Sequence, residues 1–452
     1  MAGILLKEPL KNSGFQPENP QCGKIKNLHE VSRKGPNARH FSASSASKNA
    51  RITSKASGQD FAGLDALSGK APDTKSEPLD NRGNRFTPPE AKDEQKWRLS
   101  KASRKVLHDH DVRCSIRACG LPGKDTAHIS LRPVAARDGS TRLAVDGVTH
   151  CGSARCPHCA PLRASDVSAR VGAVLKAVHA NGYGAAFATW TMRHDRNTRL
   201  SNMRTVQTKA ISAMQRGGLW NRLLRDGLVG FIRVFEVTWG ARTGWHLHVH
   251  AIVIHRDGAK AAVSAGQSLT GRWIDLLAKA GHIAVGSGQK VVPVSEDKGL
   301  SDYGVADLRS WGMASEMAAG WKKTGKRPNR LNVPELLALA AEGDRLAGQK
   351  YAEAVSALSG QRLLVVGPRL KGILDLDFED IADEQEPELE AQDEKPVGLL
   401  PVAVWKRAAN HPVFDHAWII RITKKLAITE GIEWCDVYRL IWERIMQRSP
   451  PD

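Results

Sequence analysis

The sequence predicts an α+β protein. Three observations carry that reading: two β-type runs joined by a glycine-containing connection, helices of regular apolar spacing around them, and a cysteine cluster ahead of both. Residues 1 to about 95 are rich in Ser, Asn, Lys, Gly and Pro and show no sustained period, as in Ser42 to Lys48. A disordered basic and polar arm is expected over 1–100. The pattern changes from about 105, and five of the seven cysteines fall between Cys114 and Cys159, which marks 105–165 as a cysteine-rich segment. Val167, Val171, Val174, Leu175 and Val178 then repeat as one face of a helix stopped by Asn181-Gly182. A strand follows in Ala185 to Thr191. Val206, Ala210, Ile211 and Met214 give a second amphipathic helix, ended near Gly217-Gly218.

Val229 to Thr238 and Trp245 to Ile254 read as β-type runs, and the stretch Trp239 to Gly244 between them suits the turn of an antiparallel hairpin. Farther on come helices near Val333–Leu346 and Tyr351–Leu358, then a strand at Leu363 to Val366. Residues 166–374 are therefore read as one central domain. An acidic linker is expected over 375–396. Apolar residues and four tryptophans at helical spacing beyond residue 400 predict a small helical domain over 397–452.

Of 452 residues, 66 are Lys or Arg and 48 are Asp or Glu, for a net charge of +18. Eleven acidic residues lie between Asp375 and Glu394, so the remainder carries +29. Such a surplus points to a polyanionic partner, most simply nucleic acid. Hydrophobic residues make up 41% of the chain, enough for a sizeable core. The longest apolar run near His250, Ala251 to Ile254, is far too short for a membrane span, and Met1 to Lys7 is too short for a secretory signal. A cytoplasmic protein with no membrane partner is expected. In a reducing compartment, clustered cysteines argue for a metal site rather than disulfides.

Two constellations carry chemistry. In Trp245-His246-Leu247-His248-Val249-His250 the three histidines alternate, so a strand projects their imidazoles to one face. With a turn centred near Arg242, Glu236 comes opposite His248 and adds a hard oxygen ligand. A mixed nitrogen and oxygen set with open positions suits manganese or magnesium together with a substrate phosphate. Cys151, Cys156 and Cys159 form a C-x4-C-x2-C run, with Cys119 or Cys114 as a fourth ligand and His150 or His158 as substitutes. Four thiolates complete a tetrahedral structural zinc site. In addition, Trp321 to Arg330 is a turn-rich stretch in which Lys322, Lys323, Lys326 and Arg327 are expected to grip DNA phosphates. Tyrosine is scarce. Tyr351 and Tyr438 lie on apolar faces, whereas Tyr303 sits in a polar stretch downstream of the histidine strand.

Taken in order, Cys151-Gly-Ser-x-x-Cys-Pro-x-Cys159, Phe187 to Arg193, Phe235-Glu-Val-Thr-Trp-Gly240 and Gly244-Trp-His-Leu-His-Val-His250 resemble the rolling-circle plasmid replication initiators of the HUH endonuclease superfamily. The similarity continues through Tyr303, Glu316, Val333 to Leu337, Glu342-Gly-Asp344 and Arg362 to Gly372, and spans roughly residues 110 to 375. The family pattern is commonly Trp-His-Pro-His-x-His, so its paired metal ligands map onto His248 and His250. His246 is the flanking histidine, and Leu247 replaces the usual proline. The resemblance implies a central antiparallel sheet with flanking helices and a tyrosine nickase acting at the plasmid's double-strand origin, on duplex hairpin and single strand. Tyr303 matches the nucleophile, which leaves a 5′-phosphotyrosyl link and a free 3′ hydroxyl for polymerase. Host helicase and polymerase are the implied partners. The lysine usually found three residues after the tyrosine is Ala306 here, and the water-activating carboxylate of termination falls to Glu296 or Asp302. Two other readings stand beside this one: a transposase or mobilisation relaxase of the same superfamily, and a non-enzymatic zinc-containing DNA-binding regulator.

Overall fold

A computed structural model of the chain describes residues 89–135, 141–294, 330–378, 381–382 and 395–446. The expected disordered arm lies outside the described residues up to residue 88. Its last part does not, because Pro89–Asp109 forms helix α1. The buried stripe of α1 is Trp97, Ser100, Ser103 and Leu107. Two serines among those four positions hide the helical period from a reading of apolar residues.

Two antiparallel sheets follow. The smaller has the order β10-β1-β2, from β1 (His128–Ala135), β2 (Thr141–Asp146) and β10 (Gly398–Pro401). The larger has the order β6-β3-β5-β4-β8-β9, with β7 alongside β4. Its strands are β3 (Gly184–Trp190), β4 (Leu228–Gly240), β5 (Gly244–His255), β6 (Lys290–Pro293), β7 (Leu331–Asn332), β8 (Arg362–Val366) and β9 (Ile381–Ala382). Before β3 lies α2 (Ala160–Ala180). Between β3 and β4 lie α3 (Leu200–Met214) and α4 (Gly218–Arg225), and α5 (Gly258–Lys279) follows β5. The sequence reading passed over α5, whose buried stripe of Ala262, Ala265, Gly266, Leu269, Trp273 and Leu277 is half small residues.

The larger sheet is covered on both faces. Val167, Val171, Val174 and Val178 of α2 pack on Ile232, Val234, Ile252 and Ile254, while α3 and α5 cover the face bearing Trp245, Leu247, Val249, Ala251 and Val253. Past β7, the helix expected over Val333–Leu346 is two elements, α6 (Val333–Ala341) and α7 (Arg345–Leu358). Gly343 takes φ +101, open to glycine but strained for other residues, and the Asp344 side chain accepts from Ala347 N to start α7.

The short helix α8 (Pro368–Ile373) leads toward the acidic tract, whose Leu376 and Phe378 still pack on the α2 side of the sheet. Most of the expected acidic linker lies outside the described residues. The C-terminal helices α9 (Val402–Ala408), α10 (His416–Thr423) and α11 (Trp434–Met446) do not bury a core alone. Trp405, Ile419, Ile420 and Ile441 share one with Trp97 of α1 and with Ile129, Leu131 and Leu143 of the small sheet. Pairing of β10 with β1 is what joins these helices to the small sheet.

Candidate metal centres

The β4–β5 hairpin has the register the sequence implies. Glu236 pairs with His248, Thr238 with His246 and Val234 with His250, across the connection Ala241-Arg242-Thr243. At Gly244 the backbone takes φ +75, and a Cβ there would stand 2.7 Å from Arg196 Cα and Asp195 O. Only glycine fits that approach, which brings the segment after β3 over the mouth of the hairpin.

The ligand atoms of Glu236, His248 and His250 all lie within 4.8 Å of one another. His250 Nε2 is 2.7 Å from Glu236 Oε2, its Nδ1 is 3.2 Å from Thr189 Oγ1, and its ring stacks on Phe187 at 5.4 Å between centroids. Burial pushes the His248 imidazole down to about 4; Glu236 opposes that shift, while His250 and Arg330 add to it. The ring is thus neutral at pH 7 with a lone pair to give. The cluster is partly buried: the side chains of Glu236 and His250 are 20% and 9% exposed. Two imidazoles and one carboxylate fit a divalent cation with room left for substrate oxygens.

His246, expected among the ligands, is engaged elsewhere. Its Nδ1 is 2.7 Å from His194 Nε2 and its Nε2 is 2.9 Å from Thr243 Oγ1, while His194 Nδ1 is 3.1 Å from Thr243 O. A carbonyl can only accept, so His194 Nδ1 donates to it. With His194 neutral, its Nε2 accepts from His246 Nδ1, and His246 Nε2 accepts from the Thr243 hydroxyl. Burial lowers the His194 pKa, which favours that neutral form. The ring of bonds closes on Thr243 and leaves the lone pair of His246 occupied. The sequence reading missed His194 and Thr189. Strand parity could have found Thr189; nothing in the irregular segment around His194 signals its position.

The cysteine cluster gathers Cys119, Cys151, Cys156 and Cys159, all buried, within 4.8 Å of one another. Cys119 Sγ and Cys151 Sγ stand 3.7 and 3.8 Å from Cys159 Sγ. A tetrahedron with Zn–S bonds of ~2.3 Å has edges of ~3.8 Å, so four sulfurs at this spacing can bind a metal such as zinc. Cys159 caps α2 at its positive end and accepts from Gly152 N at 3.3 Å. Hydrogen bonds from the neighbouring thiols pull its pKa down, whereas burial pushes that of Cys156 up. Buried Arg163 braces the loop by donating to Gly152 O at 2.9 Å. Cys114, His150 and His158 stay out of the cluster, and His158 packs edge-on against Trp97.

Tyr303, Glu296, Lys322, Lys323, Lys326 and Arg327 lie outside the described residues, as do Asp302, Ala306 and Glu316. The other three tyrosines are packed. Tyr351 is fully buried, 2.7 Å from Ser103 Oγ and donating to Arg155 O, and burial raises its pKa well above the usual phenol. Tyr438 sits between Trp434 and Trp442, and Tyr183 packs beneath α2.

Fold and sites together define a mixed α/β protein with two constellations able to hold metal, one all-sulfur and buried, the other mixed and partly buried. The chain belongs to the replication-protein family, which it matches over residues 142–412, and this bears out the resemblance to plasmid replication initiators. It is also similar to the protein named Protein rep of Streptomyces lividans, 29% identical over 166 residues, an alignment covering 30% of this chain and 36% of the relative. The match thus spans about a third of that relative's length. No solved structure matches the chain. Among the described residues no helix is long and apolar enough to cross a membrane.

Proposed function

We propose that the protein initiates rolling-circle plasmid replication by nicking one strand at the double-strand origin, in the manner of an HUH tyrosine nickase. The observation that supports this most is the meeting of Glu236, His248 and His250 on one sheet face in a chain of the replication-protein family. Those three side chains are the ligands for manganese or magnesium, with His246 flanking. The ion supplies Lewis-acid polarisation of a phosphoryl oxygen. Thr189 holds the ring of His250, and Glu236 keeps the site's charge low enough for a divalent cation.

The phenol oxygen of Tyr303 bonds to phosphorus as the bond to the 3′ oxygen breaks. The phenol proton ends on that oxygen, which leaves a 5′-phosphotyrosyl link and a 3′ hydroxyl primer. Lys322, Lys323, Lys326 and Arg327 hold neighbouring phosphates, and Glu296 or Asp302 activates water at termination. The four cysteines carry structural zinc. Origin DNA, as hairpin and single strand, is the partner, followed by host helicase and polymerase.

The test is trapping. Wild type with origin single strand and manganese should yield a covalent adduct, and mass spectrometry should place the nucleotide on the peptide holding Tyr303. Tyr303→Phe should bind DNA and form none. An adduct on another tyrosine overturns the assignment, and no adduct at all favours the zinc-containing regulator. Cleavage at transposon ends or a transfer origin in preference to the replication origin favours the transposase or relaxase.

A further inference from the structure

The sheet register puts two cations on the histidine face, one at each side of the metal cluster. Lys290 of β6 pairs with Thr189, and Thr189 pairs with His250. Arg330 immediately precedes β7, whose Asn332 pairs with Thr238, itself opposite His246. Alternation settles the face. Val292 packs with Phe187 in the core beneath α2, so Lys290, two residues earlier, shares that side. Leu331 packs in the opposite core, so Arg330 and Asn332 point away from it. Lys290 is exposed and Arg330 half-buried.

From β6 to β7 there are four inter-strand steps of ~4.8 Å, and from the level of His250 to that of Gly244 six residues of ~3.3 Å, a diagonal of about 28 Å. Its midpoint falls on β5 between His246 and His248, beside the cluster. The charge of Arg330 is felt there, since it lowers the pKa of both His248 and His194.

We propose that Lys290 and Arg330 are phosphate-binding residues that seat a single strand of DNA diagonally across β6-β3-β5-β4-β7, with the phosphate to be cut over Glu236, His248 and His250. The choice of substrate rests on the nicking reading. Two cations this far apart cannot share one phosphate, so the ligand is a chain of them. A single strand can follow a twisted sheet, whereas a stiff duplex cannot lie flush on it. Unpaired bases also need apolar surface. Ile283 and Val285, 54% and 50% exposed, supply it beside Lys290. Their loop is tied to the end of β3 by Arg193 N donating to Ile283 O at 2.7 Å and the Thr191 hydroxyl donating to Gly288 O at 3.1 Å.

The experiment measures binding of a fluorescent single-stranded oligonucleotide, long enough to span both residues, to the full chain in EDTA across a salt series. Lys290→Gln and Arg330→Gln should each weaken binding and flatten the slope of log K against log salt by about 0.7. The double variant should lose both contributions, and Lys290→Arg and Arg330→Lys should restore them. Unchanged slopes in variants that keep wild-type zinc content and melting temperature overturn the proposal. An equal loss on duplex of the same length overturns the single-strand track. Adduct formation in manganese is read separately. An adduct with unchanged slopes sinks this clamp alone, whereas changed slopes without an adduct sink the nicking reading and leave the clamp standing.

Discussion

Replacing Thr189 by Val removes one hydroxyl from the histidine face and keeps the β-branched shape that β3 needs. That hydroxyl lies 3.2 Å from His250 Nδ1, while Nε2 of the same ring lies 2.7 Å from Glu236. To bind a metal, Nε2 must give its lone pair, so the ring proton sits on Nδ1 and Thr189 is its acceptor. Partners that orient a ligand in this way are worth about 10–100-fold in metal affinity, or roughly 1.4–2.7 kcal/mol. The bond is neutral and longer than the common N–H···O distance of ~2.9 Å, which places the effect in the lower part of that range, about 10- to 30-fold. Calorimetric titration with manganese should show this loss in Thr189→Val and a larger one in His250→Ala. Nicking by Thr189→Val should recover at saturating manganese, because only metal occupancy has changed. Wild-type affinity in Thr189→Val, alongside a clear loss in His250→Ala, would refute the orienting role; a rate that stays low at saturating metal would show that Thr189 acts on DNA instead.

Further outcomes follow from other parts of the fold. Elemental analysis should find about one zinc per chain, and replacing Cys156 and Cys159 together should lower thermal stability and remove it; a stable, zinc-free double variant would count against a structural metal. His246→Ala and His194→Ala should keep manganese affinity within about 3-fold of wild type, a change under ~1 kcal/mol, since their hydrogen bonds close on Thr243; a loss matching that of His248→Ala would return His246 to the ligand set. Buried His416, which donates to Trp405 O at 2.8 Å, has its pKa pushed down to about 3 by burial. The unfolded chain takes up that proton first, near pH ~6.5. Stability is therefore full above that pH and falls as pH drops toward 3. Melting curves from about pH 7 to pH 4 should show this fall, less steeply in His416→Gln; parallel curves for the two proteins would contradict it.

Local pattern alone determined the hairpin and much of its site. Strand alternation is a covalent regularity, so the facing of His248, His250 and Glu236 followed from counting residues across one short turn. The spacing of Cys151, Cys156 and Cys159 likewise carried the sulfur site, because a loop of that length returns its thiolates to one point. What sequence could not decide was long-range. Cys119 joins that cluster and Cys114 does not, which depends on how the segment after α1 turns. Thr189, His194, Lys290 and Arg330 reach the histidine face from four other segments, through strand pairings and a glycine contact that no local period records. His246 shares its neighbours' parity yet closes a hydrogen-bonded ring with His194. Parity sets only the direction of a side chain, whereas its partner is set by whichever distant segment the packing brings within hydrogen-bond reach.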